Sequence, residues 1–291
     1  MNRKDFIKKG LLGTAIFSLS DKLSSVTHND IDELKALDVI GFNHLPHTQS
    51  KVMSNTVLHQ ADSRGHADHG WLKSYHSFSF ANYYNPDRMH FGVLRVLNDD
   101  QVAQGMGFGT HPHDNMEIIS IPLEGDLEHK DSMGNVAVIR HGDIQVMSAG
   151  TGIQHSEYNR SKNDLVRFLQ IWVFPNKRNV TPRYDQLTLD IADRHNKLQQ
   201  ILSPNVDDAG VWIHQDAWFH LGTFDKDFST KYALKKSGNG IYAFVIKGSF
   251  TIDEQQLNRR DGLGIWDTKN IKITANSKDA EILLMEVPMN I

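Results

Sequence analysis

The 291-residue sequence contains no cysteine, no long hydrophobic run and no large excess of charge of one sign. The absence of cysteine excludes disulfides, thiolate metal sites, iron–sulfur clusters and cysteine nucleophiles. No segment approaches the roughly 18 consecutive apolar residues that a membrane span needs. The formal net charge of -4 gives no general electrostatic reason to expect nucleic acid or an anionic membrane as a partner.

Histidine, in contrast, is abundant, with 16 residues. Because thiolates are excluded, a transition-metal site in this chain must use imidazole and carboxylate ligands. The chain is 39% hydrophobic, which is enough to build a sizeable core, and its length favours about two domains.

The N-terminus has the layout of an export signal. Basic residues precede a short apolar run in MNRKDFIKKGLLGTAIFSLS, and RKDF at residues 3–6 resembles a twin-arginine signal with lysine in the second position. No clear small-x-small cleavage site follows. Two hypotheses therefore stay open: a cytoplasmic protein with an amphipathic N-terminal helix, or export to the periplasm. We interpret residues 1–55 as a signal-like N-terminus followed by a polar linker.

From residue 56 onward the sequence has the pattern of an all-β protein. Short alternating apolar segments, such as 93–97, 117–123 and 168–173, are separated by glycine, asparagine or aspartate about every ten residues. Evenly spaced short strands of this kind predict a β-sandwich or barrel.

A faint internal repeat indicates two copies of one β unit. Residues 118–125 resemble 242–248, and residues 141–146 resemble 261–266. The polar segment NKRNVTPR, which carries Pro182, is a suitable boundary. We therefore predict an N-terminal domain over residues 56–180 and a C-terminal domain over residues 181–291.

Two short segments combine metal-binding side chains at strand spacing. His111 and His113 are two residues apart, so a strand directs both imidazoles to one face, and Glu117 has the same parity. His155 and Glu157 repeat this spacing about forty residues later. If the two strands lie side by side, three nitrogens and one carboxylate surround a common centre.

The pair of His111 and His113 alone would also be typical of an exposed strand. Its combination with His155 and Glu157 makes a metal site the better interpretation. A set of three imidazoles and one carboxylate suits Fe, Mn, Co, Ni, Cu or Zn, and spacing does not choose among these metals.

Glycines bracket both segments as they do in the two cupin motifs, and the surrounding residues resemble the pirin family, most of all the bacterial pirin-like quercetin dioxygenases. The resemblance is dense over residues 57–175. Its matching residues are Trp71-Leu72, His76-Ser77-Phe78-Ser79-Phe80, Tyr83-Tyr84-Asn85-Pro86, Phe91-Gly92, Leu94-Arg95-Val96, Asn98-Asp99-Asp100, Gly107-Phe108, His111-Pro112-His113, Met116-Glu117-Ile118, Leu123-Glu124-Gly125, His129, Asp131-Ser132, Gly150-Thr151-Gly152-Ile153 and His155-Ser156-Glu157.

The resemblance implies a bicupin, two tandem double-stranded β-helix barrels of which only the first holds a metal. One divalent metal per chain, usually iron, is implied to bind through His111, His113, His155 and Glu157. Pirins use this later glutamate, so Glu117 is assigned to the second shell or the pocket wall. The C-terminal barrel is expected to be free of metal.

The implied activity is oxidative ring opening of a flavonol such as quercetin by O2, with loss of carbon monoxide. Glu157 is the candidate catalytic base, since a carboxylate at the metal is within reach of the substrate hydroxyl proton. Two alternatives stay open: a non-catalytic metal- or redox-sensing regulator that binds a protein partner, and a cupin enzyme with another small hydroxylated substrate. The sequence does not assign an oligomeric state.

Three further features are interpreted as structural. His129 and His141 are expected to support the fold or the site rather than to bind metal. Residues 76–80 alternate as a packed strand does, and Asp99-Asp100 is predicted to be a turn before a strand.

Overall fold

A computed structural model describes residues 54–291 of the chain. The predicted signal-like segment and linker lie outside the described residues, apart from residues 54 and 55. Strands are numbered in chain order from β1 to β22, and they form four sheets.

The N-terminal barrel is built from a seven-stranded and a four-stranded sheet. In spatial order, the larger sheet contains β12 (Arg183–Thr188), β9 (Asp143–Ser148), β6 (Glu117–Glu124), β11 (Val166–Val173), β4 (Leu94–Val102), β3 (Leu72–His76) and β2 (Gly65–Asp68). The smaller sheet contains β5 (Gly107–His113), β10 (Ile153–Asn159), β7 (Leu127–Asp131) and β8 (Val136–Ile139).

The C-terminal barrel repeats this architecture. In spatial order, its larger sheet contains β1 (Asn55–His59), β20 (Gly262–Trp266), β17 (Asn239–Lys247), β22 (Ala280–Pro288), β15 (Trp218–Phe224), β13 (Gln199–Ser203) and β14 (Val211–Trp212). Its smaller sheet contains β16 (Ser229–Ala233), β21 (Asn270–Ala275), β18 (Phe250–Ile252) and β19 (Gln255–Leu257).

Helical structure in residues 54–291 is limited to short 3-10 turns, at Ala61–Ser63, Pro86–Arg88 and Ile191–Arg194. None of these has the length and apolar character that a bilayer crossing needs.

The two larger sheets pack against each other through a common hydrophobic core. Ile119, Val146 and Ile171 of the N-terminal sheet belong to the same buried cluster as Phe219 and Leu283 of the C-terminal sheet. A sheet covered on both faces has buried residues on both, and β6 is accordingly buried over its first six positions. The core that joins the barrels is therefore continuous.

Each barrel also completes the other with one strand. β1, which precedes the N-terminal barrel in sequence, pairs antiparallel with β20 of the C-terminal sheet. β12, which follows the predicted boundary at residue 180, pairs antiparallel with β9 of the N-terminal sheet. The predicted boundary itself stays a prediction, and β12, the first strand after it, belongs to the sheet of the N-terminal barrel.

The predicted all-β bicupin architecture is confirmed. The repeated segments found in the sequence occupy matching places, since β9 lies beside β6 in one sheet as β20 lies beside β17 in the other. The turn predicted at Asp99-Asp100 is wrong. Both residues lie inside β4, and Asp100 is only 4% exposed, so the aspartates belong to a buried strand.

Candidate metal centre

The smaller sheet of the N-terminal barrel brings the two histidine segments together. β5 and β10 are antiparallel neighbours, and His111 lies directly opposite His155. His113 lies two residues along β5 from His111, on the same face of the strand. The side-by-side arrangement expected from the sequence is therefore present.

The three imidazole rings form a compact cluster. Ring centroids are 4.9 Å apart for His111 and His113, 4.4 Å for His111 and His155, and 4.9 Å for His113 and His155. One nitrogen from each ring lies within 4.8 Å of the others, a separation at which three side chains could hold one metal ion.

Several nitrogens of this cluster have no hydrogen-bond partner in residues 54–291. Both ring nitrogens of buried His155 and Nε2 of His113 are enclosed and unpaired. His111 differs because its Nδ1 donates to the Gly109 carbonyl oxygen at 2.8 Å. That bond fixes the tautomer and leaves the Nε2 lone pair free, as in metal-binding histidines.

Burial keeps the imidazoles of His113 and His155 neutral. Desolvation, together with the neighbouring His111, lowers the pKa of His113 to about 4. The pKa of His155 falls further because it is more deeply buried and faces His111, His113 and His129. Neutral imidazole is the form that binds metal, so the cluster is prepared for a cation.

Glu157 is held beside the cluster by two polar side chains. Ser120 Oγ donates to its Oε1 at 3.1 Å, and Gln170 Nε2 donates to its Oε2 at 2.7 Å. The carboxyl is 2% exposed, and burial raises its pKa to about 7 against the opposing effect of the two hydrogen bonds. Ser120 and Gln170 thus orient the carboxylate while leaving lone pairs free on both oxygens.

Glu157 groups with a histidine that the sequence analysis had set aside. Ligand atoms of His129, His155 and Glu157 lie within 4.8 Å of one another, which makes a second candidate set sharing His155. His129 Nε2 bonds Asp131 Oδ2 at 3.2 Å, and its Nδ1 is buried without a partner. A carboxylate that orients the ring in this way is typical of metal-binding histidines, so the structure adds His129 as a candidate ligand beside its expected supporting role.

A cavity of about 330 Å³ opens beside the cluster. His111 and Glu157 contribute to its wall, so a small molecule inside it can reach the candidate metal ligands. The volume is at the lower end of the range for small-molecule sites. The remaining wall is largely aromatic and apolar, with Trp71, Leu72, Phe80, Phe108 and Trp172 among its residues.

Glu117 lies elsewhere, which differs from the expected role in the second shell or pocket wall. β5 ends at His113, the backbone turns through Asn115 (φ 44°), and β6 begins afresh at Glu117. The even spacing from His111 to Glu117 therefore does not put both side chains on the same face, because the strand is interrupted between them. Glu117 shares a strand face with Ile119, in the core between the barrels, whereas Ser120 faces Glu157.

Glu117 is nevertheless a buried carboxyl with defined partners. Ser148 Oγ donates to its Oε2 at 2.6 Å, and the residue is 1% exposed. Burial raises its pKa to about 7, opposed by the hydrogen bond and by the charge of Arg183. A backbone hydrogen bond from His214, which follows β14 of the C-terminal sheet, links the Glu117 carboxyl to the other barrel.

The donor set fits a transition-metal ion. Unpaired buried imidazole nitrogens cost free energy unless something binds them, and a carboxylate lies beside them. Neutral imidazole and carboxylate together suit divalent iron, manganese, cobalt, nickel, copper or zinc.

Comparisons with known proteins give the family of the chain. The pirin family model matches residues 57–173, and a model described as the quercetinase C-terminal cupin domain matches residues 200–287. Quercetin 2,3-dioxygenase of Escherichia coli K12 is 45% identical over 231 residues, covering 79% of this chain and 98% of the relative. The chain belongs to the pirin family. A pirin-like protein of Caulobacter vibrioides is 42% identical over 77% of this chain and 96% of its own length.

One solved pirin carries a metal. The crystal structure of the bacterial pirin YhhW from Escherichia coli, in complex with nickel(II), matches with a TM-score of 0.76 and 44% identity, covering 80% of this chain and 99% of that one. Together with the donor set, this supports a single bound metal in the present pirin without choosing the element.

The second barrel of this pirin differs at the corresponding strand. The inward positions of β21 are Ile271, Ile273 and Ala275, and they pack into an apolar core with Tyr232 of β16. The metal-free C-terminal barrel stays a prediction, and these apolar residues are the reason for it.

Proposed function

We propose that this pirin is a metal-dependent dioxygenase that opens the ring of a flavonol such as quercetin with O2. The supporting observation is that His111 and Glu157 line one aromatic-walled cavity of about 330 Å³. The name of the 45% identical Escherichia coli relative, quercetin 2,3-dioxygenase, favours the same substrate class. The small molecule and O2 are thus the proposed partners.

His111, His113, His155 and Glu157 are the proposed metal ligands, with iron as the proposed metal and nickel, copper, manganese, cobalt and zinc as alternatives. When bound, the metal supplies a positive charge that stabilises the deprotonated form of a coordinated hydroxyl and thereby lowers its pKa. Elemental analysis of protein purified without metal-affinity resin tests the identity of the metal.

The cavity wall orients a planar aromatic substrate. Trp71 and Phe108 meet edge to face with ring centroids 5.5 Å apart, and Phe80 and Trp172 do so at 5.4 Å. Flat aromatic surfaces of this kind bury large ring area and favour stacked or edge contacts with another ring system. They also exclude water from the reacting centre.

Glu157 is the proposed acceptor of the substrate hydroxyl proton. Its carboxylate lines the cavity, and Ser120 and Gln170 restrict its rotation. A base positioned within hydrogen-bond reach contributes roughly 10²- to 10⁴-fold to a rate. Gln170 and Ser120 therefore act as positioning residues, because each donates a hydrogen bond to the carboxylate that would accept the proton.

The test is aerobic incubation of the iron- or copper-loaded protein with quercetin. We expect loss of the flavonol absorption band, with carbon monoxide released in step with O2 consumption. Glu157→Gln should lower kcat by about 100-fold or more, whereas Glu124→Gln, an exposed carboxylate on β6, should leave it unchanged. No loss of the band and no carbon monoxide would contradict the proposal and favour the non-catalytic regulator.

A further inference from the structure

A second polar group lines the same cavity, on strands that carry none of the proposed metal ligands. Ser74 and His76 lie on β3, and Asn98 and Asp100 lie on β4. All four are buried, with exposures of 2–4%, and all four contribute to the cavity wall. Buried polar side chains at such positions require an explanation, because strand interiors are otherwise apolar.

The register of the two strands places these side chains as a two-by-two block. Ser74 lies directly opposite Asp100, and His76 lies directly opposite Asn98. Residues two apart on a strand share a face, so the four side chains project together into the barrel. Leu72 and Val102 form the next pair along the same face and close the block on its apolar side.

Hydrogen bonds inside the block satisfy only part of it. Ser74 Oγ donates to Asp100 Oδ1, and His76 Nδ1 bonds Asn98 Oδ1 at 2.9 Å. Within residues 54–291, Asp100 Oδ2, Asn98 Nδ2 and His76 Nε2 make no hydrogen bond, and all three residues line the cavity. The block therefore keeps one carboxylate oxygen, one amide donor and one imidazole nitrogen available to a molecule in the cavity.

A purely structural block would pair these atoms with one another. Polar atoms without a partner at a mostly apolar cavity wall are poorly solvated, and a carboxyl there costs more free energy when it ionises. Burial raises the pKa of Asp100 to about 7, because the ionised carboxylate is poorly solvated there. A ligand that brings hydroxyl groups to Asp100, Asn98 and His76 would remove that cost, because a hydroxyl both donates and accepts.

We propose that Asp100, with Ser74, His76 and Asn98, forms a hydroxyl-binding subsite that makes the cavity prefer polyhydroxylated aromatic substrates over unsubstituted ones. This inference rests on the proposed function, since it assigns the part of the flavonol that lies away from the metal-binding hydroxyl. Ser74 positions the Asp100 carboxyl, while Asp100, Asn98 and His76 contact the substrate. Sites built to bind a hydroxyl discriminate strongly against analogues that lack it.

The experiment compares quercetin with 3-hydroxyflavone, which keeps the 3-hydroxyl and 4-keto groups but lacks the other hydroxyls. We expect the native protein to favour quercetin in kcat/KM by about tenfold or more. Asp100→Leu should lower kcat/KM for quercetin by a similar factor, mainly through KM, and leave 3-hydroxyflavone within about twofold. Asp100→Asn keeps one acceptor oxygen and should retain part of the preference. Metal content and melting temperature establish that each variant is folded. If Asp100→Leu does not fold, Ser74→Ala replaces it as the variant that tests the subsite.

The matched control is Asp143→Asn. Asp143 is equally buried, with 4% exposure, but it lies on β9 and accepts hydrogen bonds from Gln186 and Thr188. It does not line the cavity. It should leave the preference unchanged. Equal kcat/KM for the two flavonols in the native protein would overturn the subsite while leaving the dioxygenase intact.

If neither flavonol is turned over, the proposed function fails. The subsite is then tested by comparing how tightly the two flavonols bind. Dissociation constants then follow from quenching of tryptophan fluorescence, because Trp71 and Trp172 line the cavity. A preference for quercetin that Asp100→Leu abolishes would support the subsite. Equal dissociation constants for the two flavonols would overturn it.

Discussion

His155 has more unsatisfied hydrogen-bonding atoms than the other histidines of the candidate metal centre. Both of its ring nitrogens are buried without a hydrogen bond, and it is shared between the two candidate ligand groups. Each unsatisfied buried polar atom costs about 1–3 kcal/mol. The metal-free protein is therefore strained at this residue, and metal binding should recover the difference.

His155→Ala should abolish most metal binding while leaving the metal-free protein folded and no less stable. The barrels have hydrophobic cores of their own, unlike small domains that need metal to fold. Elemental analysis and thermal melting with and without added metal measure both effects, because a ligand raises the melting temperature of the state that binds it. The exposed His195→Ala is the control. Full metal retention in His155→Ala would contradict the ligand assignment.

Glu117→Gln should change how stability depends on pH. The folded-state pKa of Glu117, about 7, lies above the ordinary value of 4.5, so the folded protein holds a proton that the unfolded chain releases. Stability is therefore lost as pH rises from about 4.5 to about 7, by on the order of 3 kcal/mol at about 1.4 kcal/mol per pKa unit. Denaturant unfolding across this range should show a flatter profile for Glu117→Gln than for the native protein. Parallel profiles would contradict this, and the exposed Glu128→Gln should behave as the native protein does.

Side chains that follow strand alternation were predictable, and those that depend on a turn were not. The spacing of His111 and His113, and of His155 and Glu157, placed them on one side of neighbouring strands. The structure groups the three histidines, and it groups Glu157 with His155 and His129. Glu117 was misplaced because a left-handed residue at Asn115 breaks the strand. Residue spacing does not predict which face of a sheet a side chain points to when the strand is broken between the two positions.

At the scale of elements, the site depends on close contact between β5 and β10. Their register shifts between His155 and Glu157, so Glu157 pairs with Phe108 rather than with Gly109. A bulge of this kind re-aims a side chain relative to its neighbours. Close approach at Gly107 accompanies it: an added Cβ there would lie 2.3 Å from the Glu157 carbonyl oxygen and 2.5 Å from Tyr158 Cα.

Gly107→Ala should displace β10 and weaken metal binding. The obstructing atoms are backbone, so the strand carrying His155 and Glu157 must move, at about 1–3 kcal/mol in stability. Gly109→Ala on the same strand is a close control, since only Tyr158 Oη lies near its added Cβ, at 3.9 Å. Metal titration and thermal melting of both variants give the measurement. Equal metal affinity in the two would show that the close approach does not position the site.

The polar row across the larger N-terminal sheet explains why part of the site escaped prediction. His76, Asn98, Gln170 and Ser120 lie opposite one another on adjacent strands, all facing the barrel interior. Alternation assigns inward positions to apolar residues and polar residues to solvent. In a sequence, a polar residue that points inward is therefore mistaken for a turn or surface residue. This is why a turn was predicted at Asp99-Asp100, which lie inside β4.

At the scale of the molecule, the two barrels share one core and exchange β1 and β12. The tandem repeat was predictable because both copies keep the same strand order. The exchange was not, because a five-residue strand such as Asn55–His59 contains no signal for its distant partner. His59 Nδ1 and Tyr242 Oη, 2.9 Å apart, anchor the exchanged strand on the C-terminal barrel.

The two barrels should unfold together in a single transition. Separating them would expose the apolar back of both larger sheets, so neither barrel has a stable isolated state to populate. Phe219→Ala in the shared core should lower the stability of this one transition by about 3–5 kcal/mol, whereas the exposed Val206→Ala should not. Calorimetry is the measurement, and two resolved heat absorption peaks would contradict the prediction.

The exchanged strand also bears on how the chain is made. Synthesis proceeds from the N-terminus, and domains generally fold as they emerge from the ribosome. β1 is among the first described residues to appear, yet the tyrosine that anchors it is translated 183 residues afterwards. β1 must therefore stay unpaired until its partner strand β20 (Gly262–Trp266) has also been synthesised.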